Sequence, residues 1–263
     1  MVSDDKIVLV LGLGEIGRPL YDLIHKQHPS TVGVDVQPVD VTAPVGLMLV
    51  CYPHDLAGGF VATTVAYAEK YRPEVIVINS TVRPGTTALI EAQAGVAAVY
   101  SPVRGKHVRM HDDLLKYRKF VAGKNGAAVE RATALFASAG MKVATMRTPE
   151  ALEIAKLSET TYFGILLAWA QELERFARAV GADYFDVARF FEEVDYLPRV
   201  TFRPGHIGGH CIMPNIAILR QRFESELLDA IVASNDQKAA DIRATGGSLA
   251  ERVAPVQLGE KPR

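Results

Sequence analysis

Gly12-Leu13-Gly14-Glu15-Ile16-Gly17 sets three glycines at a spacing that restricts what the chain around them can become. The short apolar run Lys6–Leu11 precedes them and reads as a strand. Glu15–Lys26 follows, with Ile16, Leu20, Leu23 and Ile24 at helical spacing. In a strand–turn–helix unit the first glycine makes the tight turn and the second lets backbone N–H groups approach a pyrophosphate. The third lets helix and strand pack closely, and the helix N-terminus favours negative charge. Asp35 stands 18 residues after Gly17, at the end of a second predicted strand, Thr31–Val34. A carboxylate there accepts hydrogen bonds from a ribose 2′-OH and repels a 2′-phosphate, so the pattern points to NAD rather than NADP. The alternative for such glycines is a turn with no ligand; strand, helix and acid in register argue against it.

The alternation continues. Leu47–Cys51, Val75–Ile78, Val96–Tyr100, Phe120–Ala122 and Met141–Ala144 read as strands, and Ala57–Lys70, Thr86–Ala92 and Ala127–Ala139 as helices. From Pro149 to about Val180 one long helical stretch carries no strand punctuation. Asp183–Glu193, Ile212–Phe223 and Ser225–Ile242 read as further helices. The expected fold is an α/β Rossmann-type doubly wound parallel sheet followed by an all-α domain built on one long helix. The boundaries are placed at 1–147, 148–244 and a flexible tail, 245–263, rich in glycine, proline and charge.

A chain of 263 residues with 49% hydrophobic residues can bury a sizeable core, and a net charge of −1 gives no global drive toward nucleic acid or an anionic membrane. Two cysteines, Cys51 and Cys211, are too few for a secreted disulfide framework. The polar start, Met1-Val2-Ser3-Asp4-Asp5-Lys6, does not read as a signal peptide. No apolar run reaches the ~18 residues that span a bilayer. A cytoplasmic, reduced protein is expected.

Arg203–Asn215 carries the chemistry. Cys211 comes directly after Gly208, Gly209 and His210, and Pro214 marks a place where a helix can begin. A thiol at a helix N-terminus sits in positive potential, which favours the nucleophilic thiolate. The glycines let backbone or ligand come close where a Cβ would block it. Two more loops belong at strand ends, where open α/β sheets bind ligands: Cys51-Tyr52-Pro53 and Asn79–Thr87. Thr81 can position a substrate oxygen or a water, or serve as a turn or cap; Cys51 reads as a small buried thiol. Glu153, Lys156 and Thr160 lie at i, i+3 and i+7 and share a helix face. A lysine beside the cofactor can stabilise an oxyanion or relay a proton, while the plainer reading is a solvated Glu–Lys pair. His206 and His210 are four apart beside Cys211, but the loop supplies no other clear ligand, so no metal is expected. Tyr162, Phe163, Trp169 and Phe176 along the long helix read as core or dimer interface.

Taken in order, Gly12–Gly17, Ser80–Thr87 (Ser-Thr-Val-Arg-Pro-Gly-Thr-Thr), Ser101-Pro102, Glu153-x-x-Lys156-Leu157, Gly208-Gly-His-Cys-Ile212 and Asn235-Asp236 resemble the UDP-glucose/GDP-mannose (nucleotide-sugar) dehydrogenase family. The resemblance runs to about residue 242. It implies a four-electron oxidation with two NAD: a primary alcohol becomes an aldehyde, Cys211 captures it as a thiohemiacetal, and a thioester forms and is hydrolysed. Lys156 would stabilise the oxyanions, and the long helix would form a homodimer.

The chain departs from that pattern where substrate chemistry is concerned. Thr160 replaces an asparagine, Asn215 an aspartate and Val103 a glutamate. A basic stretch follows, with Arg104, Lys106, His107 and Arg109 able to bind a phosphate or carboxylate or to stand as a solvated loop. Asp35 to Leu47 is too short for a crossover helix, and a further nucleotide-binding domain is expected to be missing. The reading is therefore a short, diverged dehydrogenase for a sugar derivative or small anionic alcohol, with Gly208, Gly209 and His210 against the substrate. Two rivals stay open: a two-electron β-hydroxyacid-type dehydrogenase using Lys156 alone, and a non-catalytic NAD-binding dimer.

Overall fold

In a computed structural model of the chain, residues 6–37, 39–105, 107–194 and 202–249 are described. The chain divides into two compact units, Met1–Lys156 and Leu157–Arg263.

The first unit is a seven-stranded sheet of β1 (Ile7–Leu11), β2 (Val32–Val34), β3 (Val45–Val50), β4 (Val75–Ile78), β5 (Ala97–Tyr100), β6 (Lys119–Gly123) and β7 (Val143–Thr145). The spatial order is β2-β1-β3-β4-β5-β6-β7, and every neighbouring pair is parallel except β5 with β6. Strands β1, β3 and β4 are buried throughout, which explains their unbroken apolar sequence: both faces are covered. Val8, Val10, Leu47, Leu49, Val75, Val77 and Val99 pack with α1 (Gly17–His25) and α5 (Gly126–Ser138) on one face. Leu9, Leu11, Met48, Val50, Ile76 and Ile78 pack on the other with α2 (Phe60–Tyr71) and α3 (Thr86–Ala94). The alternation of side chains along each strand sorts the two cores.

The α/β reading of this half holds, and the connection from β2 to β3 carries no helix among its described residues, as its length demands. Two local expectations change. Helix α2 begins at Phe60 rather than Ala57, because Gly58 and Gly59 take φ of +139° and +81°, which a helix cannot continue. The stretch after β5 is not simply a basic loop: it contains a 3₁₀ turn at His107–Arg109 and helix α4 (Met110–Lys116). Helix α4 delivers the chain back to the rim where β5 ended, so β6 runs antiparallel to β5.

Helix α6 (Pro149–Ala179) opens in the first unit. Glu153 is fully buried there, not part of a solvated pair. Its carboxylate accepts from the backbone N–H of Gly85 (2.6 Å), the N–H of Thr87 (2.9 Å) and the Thr87 hydroxyl (2.6 Å). Two of these are backbone donors at the start of α3, so a residue of α6 caps another helix from 66 and 68 positions away. Burial raises the Glu153 carboxyl above its usual range, opposed by these hydrogen bonds.

The second unit continues α6 and adds α7 (Tyr184–Arg189), a 3₁₀ turn (Phe190–Glu193), α8 (Ile212–Arg220) and α9 (Glu226–Ala244). Leu157, Leu167, Tyr184, Phe202, Ile212, Ile216 and Ile231 form its core. At Gly164 a Cβ would come within 2.9 Å of Ile212 Cγ2, so the glycine lets α6 and α8 approach closely. Among the described residues no helix is long and apolar enough to cross a membrane. Most of the expected tail, residues 250–263, lies outside the described residues.

Replacing Glu153 by leucine leaves three donors buried without an acceptor. The expected cost is about 2–3 kcal/mol in chemical denaturation, with glutamine recovering part of it.

Candidate functional site

In the first unit the predicted cofactor residues gather at the carboxyl ends of β1, β2 and β3, where the strand order reverses direction. Gly12 has φ +86°, its N–H donates to Val34 O, and a Cβ there would lie 2.9 Å from the backbone nitrogen of Tyr52. Gly17 is the tighter constraint: a Cβ on it would sit 1.7 Å from the Gly12 carbonyl oxygen. Around Gly14 nothing lies within 4 Å of a Cβ position. Two glycines thus close the turn and the third faces open space. Leu13 packs over Gly33, Glu15 is exposed, and Ile16 caps α1 without a side-chain bond. Asp35 is exposed directly after β2. This cradle, with bare backbone at a helix N-terminus and a carboxylate at the second strand's end, fits NAD.

Tyr52 serves the cradle through its backbone. Its ring is buried, and its hydroxyl donates to Thr64 Oγ1 (2.6 Å), which itself donates to Phe60 O. Pro53 is exposed beside it. Ser80 is buried and donates to Tyr52 O (2.6 Å), with Val50 O at 3.3 Å, so the loop after β4 is tied to the loop after β3. Thr81 is half-buried next to it. Cys51 is a buried thiol whose ionisation burial pushes up to about 12, which agrees with an inert reading. Lys156, on α6, is half-buried.

In the second unit Cys211 is exposed at the N-cap of α8, so the helix starts two residues before Pro214. The loop that delivers it is pinned from two helices. Asn235 on α9 accepts from the Ile207 N–H (2.7 Å) and donates to Ile207 O (3.1 Å), and Gln171 on α6 donates to Gly205 O (2.8 Å). Tyr184 donates to Phe202 O (2.6 Å) at the loop's start. Gly208, Gly209 and His210 are exposed between these anchors and the thiol, with Gly209 at φ +83°.

Thr160 and Asn215 are brought into direct contact. Asn215 Nδ2 donates to Thr160 Oγ1 (2.8 Å), and that hydroxyl donates onward to Leu157 O (3.0 Å). The threonine proton is committed to the backbone, so the hydroxyl presents an acceptor, and an amide at 215 supplies the donor that an aspartate would lack. Two positions noted separately in the sequence meet in space. Val103 is buried after β5.

The basic stretch is more engaged than a solvated loop. The Arg104 guanidinium lies 5.9 Å from the ring centroids of both Tyr117 and Phe120, and Arg109 pairs at 3.4 Å with the buried Asp113 of α4. Lys106 and the His107 side chain lie outside the described residues.

With this geometry in hand, the comparisons separate the two halves. Residues 150–237 match the description UDP-glucose/GDP-mannose dehydrogenase family, central domain. The helical part of this chain is therefore similar to that central domain. Across 79% of its length the chain is 23% identical to the UDP-N-acetyl-D-mannosamine dehydrogenase of Methanococcus vannielii. It spans 59% of that relative. In structure it resembles UDP-D-ManNAc dehydrogenase from Pyrococcus horikoshii, with a TM-score of 0.76 and 18% identity, over 90% of this chain and 70% of the other. It also resembles 3-hydroxyisobutyrate dehydrogenase from Mycobacterium tuberculosis, with a TM-score of 0.67 and 14% identity, over 90% of this chain and 94% of the other. At these identities the structural likeness speaks for the fold: a Rossmann-like sheet followed by helices.

Sequence reasoning passed over Lys119, Gln171 and the anchoring role of Asn235. A lysine opening the apolar run Phe120–Ala122 was the available signal for the first. Nothing local marks the other two, whose partners lie 34 and 28 residues away.

A double-mutant cycle on Thr160→Val and Asn215→Leu is expected to give a coupling of about 1 kcal/mol in denaturant unfolding. Strict additivity would show the pair to be independent.

Proposed function

We propose that the chain is an NAD-dependent dehydrogenase that oxidises the primary alcohol of a nucleotide sugar, another sugar derivative or a small anionic substrate. The observation that carries this reading is the segment 150–237. It matches the family's central domain and holds both reactive side chains, Lys156 and an exposed Cys211 at the start of a nine-residue helix. Gly12, Gly14 and Gly17 would hold the pyrophosphate, and Asp35 the ribose hydroxyls. When bound, the nicotinamide accepts hydride from the substrate's alcohol carbon.

The residues of the chain do the rest. Lys156 would stabilise the oxygen that develops negative charge as the carbonyl forms. Cys211 Sγ would add to the aldehyde carbon, forming the C–S bond of a thiohemiacetal while its proton passes to the carbonyl oxygen. Gly208, Gly209 and His210 would line the approach, with Arg104, Lys106 and His107 offered to an anionic group. Thr81 would orient a substrate oxygen or a water. Asn215 cannot ionise, and its amide is occupied by Thr160. Release of acid from a thioester would then lack a base at that position.

That last point favours a second reading, a two-electron oxidation in which Lys156 works without the thiol. The likeness to 3-hydroxyisobutyrate dehydrogenase, nearly all of whose chain is spanned, points the same way. In either case a reducing cytoplasm would keep Cys211 a thiol.

Purified protein incubated with NAD and a panel of UDP-sugars, sugar phosphates and hydroxyacids separates these readings. The covalent route expects NADH formation, an intact-mass adduct on Cys211, and a rate loss of about a thousandfold in Cys211→Ser. Near wild-type turnover in Cys211→Ser supports the two-electron route. Tight NAD binding with no NADH across the panel would sink both.

The chain is proposed to act as a homodimer through α6. Tyr162, Trp169 and Phe176 recur every seven residues on that helix and are 52%, 51% and 55% exposed. Large aromatic side chains lined along one exposed stripe are the composition of a protein interface. Light scattering should give twice the chain mass, and Trp169→Glu should shift it toward the monomer.

A further inference from the structure

Lys119 is the first residue of β6, and its side chain is 3% exposed. Its ammonium donates to Ser101 O (2.7 Å) and Asn79 Oδ1 (3.0 Å), with Pro102 O at 3.5 Å, and it lies 4.5 Å from the centre of the Phe136 ring. Among the described residues no carboxylate pairs with it. The groups it faces come from five elements: Asn79 after β4, Ser101 and Pro102 after β5, Phe136 from α5, and the ionisable Cys51 and Lys156 from the end of β3 and from α6. A buried cation held by carbonyl oxygens alone is costly unless every donor is used.

The placement gives that arrangement a purpose. Because β6 runs antiparallel to β5, its first residue falls at the carboxyl rim of the parallel strands, where ligands of such sheets bind. Asn79 is held by Lys119, and the next residue, Ser80, holds the loop after β3 through Tyr52 O. Tyr52 in turn packs its backbone nitrogen against Gly12. On the other side Ser101 donates to Phe120 O (2.8 Å), closing the link to β6. We propose that Lys119 is a positioning residue for the cofactor end, tying the loops after β4 and β5, and through Ser80 the loop after β3, into one rim under the glycine turn. The inference rests on the NAD reading above for its function, though not for its geometry.

Burial pushes the Lys119 ammonium down to about 7 from 10.5; Cys51 opposes this and Lys156 adds to it. The Cys51 thiol stays protonated up to about 12, so at neutral pH the charge that Lys119 feels is that of Lys156. The sign follows from linkage. A rim that opens exposes Lys119 to water, where it keeps its proton up to 10.5, whereas the closed rim releases it at about 7. Opening therefore takes up a proton between those values and becomes rarer as pH rises, by up to about tenfold per pH unit. Below pH 7 the dependence is flat.

Two measurements decide it. Hydrogen exchange of wild-type protein, corrected for intrinsic rates, should show peptides over 79–81 and 101–104 opening less often from pH 7 to 9, while α9 shows no such slope. Lys119→Met should abolish the slope and weaken NAD binding in calorimetry by about tenfold, the effect of losing charged hydrogen bonds. Opening of the 79–81 and 101–104 peptides that is no more frequent in Lys119→Met than in wild type overturns the clamp. Unchanged NAD affinity in Lys119→Met, with the protein folded, overturns the positioning role. If wild-type protein binds no NAD at any pH, the cofactor reading fails, and the exchange experiment still decides whether Lys119 holds the rim.

Discussion

The first unit is organised around two side chains that are not there. Any substituent on Gly17 would run into the Gly12 carbonyl oxygen, and any on Gly12 into the backbone of Tyr52. Those clashes fix how closely α1 approaches β1, and how closely the loop after β3 approaches the turn. Once these are set, the reversal of strand order on either side of β1 leaves a crevice of bare backbone at a helix N-terminus. The proposed affinity for a pyrophosphate would follow from backbone N–H groups and the helix dipole, with no basic side chain required. Asp35 stands exposed at the end of the neighbouring strand, where a carboxylate is suited to ribose hydroxyls and repels a 2′-phosphate.

Within each unit, buried polar groups hold and exposed ones remain available. Glu153, Lys119, Ser80 and Asn235 are each nearly inaccessible, and each spends its hydrogen-bonding capacity on backbone or side chain of a loop that carries candidate chemistry. Cys211, His210, Gly14 and Asp35 are exposed. The separation is physical. A group that positions a loop must be desolvated to be strong and fully paired to be tolerated, and such a group has nothing left to offer a ligand. The Ser80–Thr87 stretch shows both roles side by side: Ser80 and Thr87 are consumed by Tyr52 O and Glu153, and Thr81 is left between them half-buried.

Much of this was legible from one dimension. The glycine spacing, the acid after β2 and the strand–helix alternation state a Rossmann-type half, because each is a local consequence of backbone geometry. The helical half was equally plain from 31 residues of α6 without a break. What could not be read depends on contacts between distant segments. Glu153 and Lys156 looked like a surface pair because i, i+3 spacing says which face they share, not whether that face is covered. Lys119 looked like the edge of a strand, since its partners lie 18 and 40 residues back. The start of α2 was misplaced by two glycines whose positive φ the apolar periodicity does not reveal. Helix α4 was lost in a run of charge because its buried residues, Met110, Asp113 and Leu114, are too few to set a period.

The Thr160–Asn215 contact bears on how such a chain diverges. Taken singly, an asparagine becoming threonine and an aspartate becoming asparagine read as two losses, each removing a group that a four-electron oxidation would use. In space the two side chains meet in one hydrogen bond. The threonine hydroxyl gives its proton to Leu157 O, as β-branched hydroxyls on helices do, and so becomes an acceptor. Position 215 must then donate, which an amide does and a carboxylate at neutral pH does not. Once Thr160 is in place, an aspartate at 215 would set a buried carboxylate against an acceptor, so the two substitutions constrain each other. What the pair preserves is the packing of α6 against α8, one turn beyond Cys211. What the pair does not supply is an ionisable group on the same helix face as the thiol. In the covalent route proposed above, the consequence would fall on the step that needs a base after the sulfur has reacted, and would leave untouched the steps that need only the sulfur and the lysine.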